Sequence, residues 1–131
     1  MIIIDATQGT LGRIAAYAAK QALLGKEIAI VNCSHVLITG NKEPALEKYR
    51  HLRKIGGWAL KGPNFPRSPE RIMKRTVRGM LSYKQERGAS ALKRVKCYNL
   101  VPEEMKEKEK ISMKRRIKSR AHELSEVSRD L

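Results

Sequence analysis

Aromatic side chains are scarce in this chain, with one Trp, one Phe and four Tyr among 131 residues. A protein that reads unpaired bases by stacking them on an open sheet needs more rings than that, so this mode of recognition is not expected. Cysteine is scarcer still. Cys33 and Cys97 stand alone, with no CxxC and no Cys/His pair at ligand spacing, which argues against both a disulfide framework and a zinc site. They read as small, half-buried apolar residues. Long apolar runs are missing too: Met1–Ile4 stops at Asp5, too short to span a bilayer and without the charged start of a signal peptide. A cytoplasmic address with no membrane partner is the expectation.

The most informative shortage is of acids. Residues 51–100 hold only two, Glu70 and Glu86, against 13 Lys and Arg. A paired-carboxylate active site is implausible there, and Glu70 is better explained as compensation for a helix dipole. His35, His51 and His122 show no ligand spacing, and no Ser/His/Asp or Cys/His arrangement is supported. His51 lies beside Arg50, Arg53 and Lys54, where a phosphate contact is as reasonable as plain exposure. The residues therefore point to a protein that is not an enzyme and needs no metal or cofactor.

What the chain has in excess is positive charge. It carries 28 Lys and Arg against 13 Asp and Glu, a net +15 and a pI of about 10.2. The excess is concentrated: residues 1–50 hold 6 cations and 4 acids and residues 101–131 hold 9 and 7, so the middle supplies most of it. Charge added for solubility alone would be spread more evenly. With 41% hydrophobic residues the chain still has enough apolar material for a packed core. A compact body with so much like charge repels itself, and a polyanion is its natural partner.

Periodicity places these features on elements. "MIIID" (Met1–Asp5) reads as a short buried strand, and Leu11, Ile14, Ala15, Ala18, Ala19, Ala22 and Leu23 form one helical stripe that Gly25 stops. Glu27–Cys33 and His35–Gly40 read as two further strands. Strand, helix, strand in that order predicts a βαβ unit with a parallel pair. Asn41–Lys54 looks helical after Pro44, with Leu46, Tyr49 and Leu52 inward, and Ile55–Pro69 looks like loop, rich in Gly and Pro. Its Trp58 and Phe65 read as rings free to stack on an unpaired base. A helix is predicted from Pro69, with Ser68 as its N-cap. Ser82–Gly88 reads as a polar turn, and Ala89–Tyr98 as a short helix with a last strand near Val95. The domain is expected over residues 1–102, followed by a polar, partly helical extension over 103–131.

The helix after Pro69 separates its faces. At about 100° per residue Arg71, Lys74, Arg75 and Arg78 form one stripe, and Ile72, Met73, Thr76, Val77 and Met80 cover the other side. A face meant only for water normally mixes signs; like charges at these spacings oppose the helix by about 0.2–0.5 kcal/mol per pair. Such a stripe makes sense against an anion. Arg53, Lys54, Lys61, Arg67, Lys84, Arg87, Lys93, Arg94 and Lys96 flank it, and Arg13 lies near another helix start. With no helix-turn-helix, zinc finger or aromatic RNA-binding motif, phosphate and shape recognition of folded RNA remains. One rival is a small nucleotide-binding enzyme using the Gly9–Arg13 loop between strand and helix. That loop lacks both the three-glycine spacing and a P-loop ending, so an ordinary helix entry explains it better.

Taken in order, "DA" with "LGR" (Asp5-Ala6, Leu11–Arg13), "ITGNK" (Ile38–Lys42), "GP" with "RSPERIMKRTVRGML" (Gly62-Pro63, Arg67–Leu81) and the "RG…KCY" stretch (Arg87–Tyr98) form a pattern. It resembles the universal ribosomal large-subunit protein thirteen family in its archaeal/eukaryotic form, over roughly residues 2–102. The resemblance implies a three-layer α/β/α domain around a four-stranded, mainly parallel sheet, with a structural and assembly role in the large ribosomal subunit. It implies large-subunit rRNA and neighbouring ribosomal proteins as partners and no small-molecule substrate. The family's RNA contacts map to Lys42, to the span from Arg53 through Arg67, and to Arg71, Lys74, Arg75 and Arg78.

Overall fold

The computed structural model describes residues 1–55, 65–114 and 120–131. Three consecutive isoleucines start the chain in β1 (Ile2–Asp5), which pairs in parallel with β2 (Ile28–Val31), Ile4 opposite Ile30. Between them α1 (Leu11–Leu23) lays its Leu/Ile/Ala stripe on the sheet, burying Leu11, Ile14, Ala15, Ala18, Ala19 and Ala22. The third strand in chain order, β3 (Leu37–Thr39), lies apart from this sheet. Outside β2 runs β4 (Val95–Cys97), also parallel. Outside β1 runs β5 (Ile111–Ser112), parallel again, completing the order β4-β2-β1-β5.

The two faces of this sheet are covered differently. Ile4, Ile28, Ile30 and Val95 face the helices: α1, α2 (Lys42–Lys54), α3 (Pro69–Gly79), α4 (Glu86–Lys93) and α5 (Leu124–Asp130). Ile3, Ala29 and Val31, the alternate residues, face the other way, where Tyr98, Val101 and Met105 form a thin third layer around a 3-10 turn at Glu103–Met105. Two separate apolar clusters follow from the period of two along a strand.

The fold departs from the sequence expectation in three places. The third expected strand, β3, pairs antiparallel with β6 (Ala121–Glu123) instead of joining the main sheet, leaving only a bridge from Leu37 to Thr10 toward the core. The fourth parallel strand comes from residues 111–112, within the stretch read as a polar extension. That stretch also supplies α5, whose Leu124 and Val127 are fully buried in the main core. The expected Ser82–Gly88 turn gives way early, because α4 already begins at Glu86. Gly88 presses that helix onto the preceding loop: a Cβ there would stand 2.0 Å from Ser82 O. No described helix is long and apolar enough to cross a membrane.

Candidate nucleic-acid interface

Helix α3 is built to show two faces. Pro69 fits the first helical turn and Glu70 the positive helix end. Ile72, Met73 and Val77 are sunk completely into the core. Their burial turns Arg71, Arg75 and Arg78 outward, where together with Lys74 and Pro66 they line an open cavity of about 320 Å³. Two of the guanidinium groups rest on rings. Arg75 lies over Phe65 (5.0 Å to the ring centre) and Arg78 over Tyr83 (4.8 Å), which restricts both side chains before any ligand arrives. Phe65 is itself buried and stacked on Tyr49, with centroids 5.0 Å apart. The expectation that Phe65 stacks on a base is therefore corrected: its ring is buried against Tyr49 of α2 and Arg75 of α3. Trp58 and Lys61 lie outside the described residues.

The remaining cations divide by what they touch. Arg71, Lys84, Arg87 and Lys93 are exposed, as are Arg13 near the start of α1 and Lys54 at the end of α2. Arg87 and Arg94 share a second cavity, about 470 Å³, with Leu23, Leu24, Gly25, Glu86 and Ser90. Arg94 also donates from Nη1 to Ala22 O (2.9 Å), closing the C-terminal end of α1. Arg53 donates from Nη1 to Phe65 O (3.0 Å). Arg67 donates to Ser128 O and Arg129 O (3.2 Å each) and accepts at its own carbonyl from the Ser128 hydroxyl (2.6 Å). Lys42 pairs with the Asp130 carboxylate, while Arg50, which lies outside the cationic stripe, donates to Asp130 O (2.9 Å). The Lys42 ammonium holds the Asp130 carboxyl below the usual carboxylate range. These residues knit α2 and the segment before α3 to α5.

Lys74 is the exception within the stripe. Its ammonium turns back and donates to Leu92 O (2.6 Å) and Val95 O, tying α3 to the α4–β4 junction. Burial there pushes its pKa down, with Lys96 adding to that and Cys97 opposing it. Helical spacing counts Lys74 with its neighbours, but a long flexible stem lets its head serve another element. Aromatic rings near either end of a cationic helix, Phe65 and Tyr83, are the sequence signal that finds the supports of Arg75 and Arg78.

Ion pairs among the described residues join His35 to Glu123, Lys42 to Asp130, His122 to Glu126 and Arg129 to Asp130. All of them lie at α2, α5 and the β3–β6 pair, away from Arg71 and Arg78. Among the described residues neither of those two guanidinium groups has a carboxylate partner.

The Gly9–Arg13 loop has the wrong shape for a nucleotide. The amides at and just before its start serve the chain: Thr7 N–H donates to Asp5 Oδ1 (3.1 Å), Gln8 N–H to His35 O (3.2 Å) and Gly9 N–H to Ala6 O (3.0 Å). Gly9 O accepts from Leu37 N–H (2.8 Å), and a Cβ on Gly9 would meet Ile14 Cδ1 at 2.5 Å and Met113 O at 3.0 Å. The crevice beside β1, where a pyrophosphate would sit in a dinucleotide fold, is filled by the chain's own backbone.

A family model described as ribosomal protein L13 matches residues 1–104. The large ribosomal subunit protein uL13 of Methanosarcina barkeri is 44% identical over 137 aligned positions, covering 100% of this chain and 97% of that protein. The uL13 of Methanocaldococcus jannaschii is 44% identical, with 87% and 85% covered, and that of Natronomonas pharaonis 40% identical, with 99% and 90% covered. The chain belongs to the ribosomal protein L13 family.

Proposed function

We propose that this chain is a structural constituent of the large ribosomal subunit, cytoplasmic and without catalytic activity, that binds large-subunit rRNA through Arg and Lys contacts to phosphates and supports subunit assembly. Its partners are rRNA and the ribosomal proteins beside it. The RNA-facing set comprises Arg13, Lys54, Lys61, Arg71, Arg75, Arg78, Lys84, Arg87 and Lys93, with Lys42, Arg53, Arg67 and Arg94 contributing while they also brace the fold. Phosphates suit this surface because guanidinium groups bind them in two-pronged fashion and do not lose their charge. The observation that carries the reading is the division of α3, where a fully buried apolar face opposes an outward row of guanidinium groups around one open cavity.

The test is the salt dependence of RNA binding. Arg71→Gln combined with Arg78→Gln should weaken binding to a large-subunit rRNA fragment. It should also flatten the plot of log K against log salt by roughly 0.7–0.9 for each phosphate no longer neutralised. An unchanged slope would remove α3 from the interface.

A further inference from the structure

Two thiols meet at the carboxyl end of the sheet. Cys97 ends β4, and the strand register sets it beside Ile30. Cys33 opens the 3-10 turn that follows β2; its N–H donates to Tyr98 O (3.1 Å) and its Sγ lies 3.6 Å from Ile30 O. Both side chains lie beside Ile30 on the main-core face of the sheet, close enough for the two sulfurs to act on each other. They differ in access. Cys33 is fully buried, whereas Cys97 is half-buried and lines two open cavities, one of about 350 Å³ with Glu70, Asn99 and Leu100, the other of about 330 Å³ with Lys74 and Lys96. The Lys74 ammonium, held by Leu92 O and Val95 O, acts electrostatically on Cys97. Of the two sulfurs, Cys97 is therefore the one that a small oxidant can reach from solvent.

We propose that Cys97 and Cys33 are a peroxide-reactive pair, Cys97 the sulfur that is oxidised first and Cys33 the buried sulfur that resolves it into an intramolecular disulfide. The co-reactant is a hydroperoxide. Cys97 thiolate, its proton released to water, attacks one peroxide oxygen; the S–O bond forms, the O–O bond breaks, and the departing oxygen leaves as water or an alcohol after taking a proton. Cys33 sulfur then attacks Cys97 Sγ. The S–S bond forms, the S–O bond breaks, and hydroxide leaves with the Cys33 proton as water. Two thiols have lost two electrons and the peroxide has gained them. Burial suits Cys33 to this role, since it keeps its proton until a sulfenic acid appears beside it and is shielded from oxidation on its own. Disulfides of cytosolic proteins are usually of this transient, redox-responsive kind.

The experiment treats the full-length protein with hydrogen peroxide, blocks remaining thiols with an alkylating reagent, and maps digested peptides by mass spectrometry. The expected result is loss of both free thiols, a mass lower by two hydrogens, and a cross-linked peptide pair containing Cys33 and Cys97. Cys33→Ser should stop at a Cys97 sulfenic acid that dimedone traps, and Cys97→Ser should leave Cys33 alkylatable only after denaturation. Disulfides between molecules, over-oxidised Cys97 without a cross-link, or two thiols untouched by peroxide would each overturn the proposal. The wild-type peptide map decides the matter even if a variant folds poorly.

Discussion

Lys74 and Arg78 stand four residues apart on α3 and do opposite work. Arg78 lies over Tyr83 at the rim of the cationic cavity, while Lys74 reaches inward to Leu92 O and Val95 O. Replacing Lys74 with Met keeps the stem and removes the ammonium, leaving two carbonyls without their charged donor. The expected cost is about 1.5–3 kcal/mol of stability, the range for hydrogen bonds to charged groups, read as a lower midpoint in urea. The salt slope of RNA binding should stay as in the wild type, which separates Lys74 from Arg71 and Arg78. Asp5 is a second residue with a defined job. Burial pushes its carboxyl up, but donors from Asn32 and Thr7, with Lys110 nearby, outweigh that and hold it below its ordinary value. Because folding lowers this pKa, the unfolded chain takes up the proton first as pH falls. The contribution is therefore complete above the unfolded value of about 3.9 and is lost as pH drops through the folded one. Denaturation midpoints measured from about pH 5 down to about pH 3 should fall less steeply in Asp5→Asn than in the wild type.

Among the elements, α5 matters more than its composition suggests. Leu124 and Val127 sit at 0% exposure in the main core, and Arg67, Arg50 and Lys42 grip its C-terminal end. Leu124→Ala should cost about 2–5 kcal/mol, as truncation of a buried leucine usually does, and chemical denaturation followed by circular dichroism checks it. This helix shows where reading from sequence stopped. The strand of Ile2–Asp5, the stripe of α1 and the split of α3 were legible, because each repeats its apolar period long enough to stand out. In the 103–131 segment β5 is two residues long and β6 three, both set among charges, so a period of two never has room to appear. The partner of β3 was hidden for the same reason. The cationic stripe of α3 was legible from its spacing; what stayed illegible was which long side chains bend back to brace the fold.

Across the whole molecule, the chain carries +15 of formal charge, and two of the ion pairs among its described residues run through histidine. Self-repulsion of that size opposes compaction, and salt screens it over about 10 Å at 0.1 M. The free protein should therefore melt at a higher temperature as sodium chloride is raised from low to physiological concentration, while its hold on RNA weakens over the same range; scanning fluorimetry and filter binding measure the two trends. The sheet adds a constraint in time. Its first strand, Ile2–Asp5, finds one neighbour at residue 28 but the other only at residue 111. On a chain still emerging from a translating ribosome, the outer edge of that strand stays bare through most of synthesis. Nascent copies thus display unpaired amides and a finished cationic helix together, so whatever shields the young protein must arrive before β5 does.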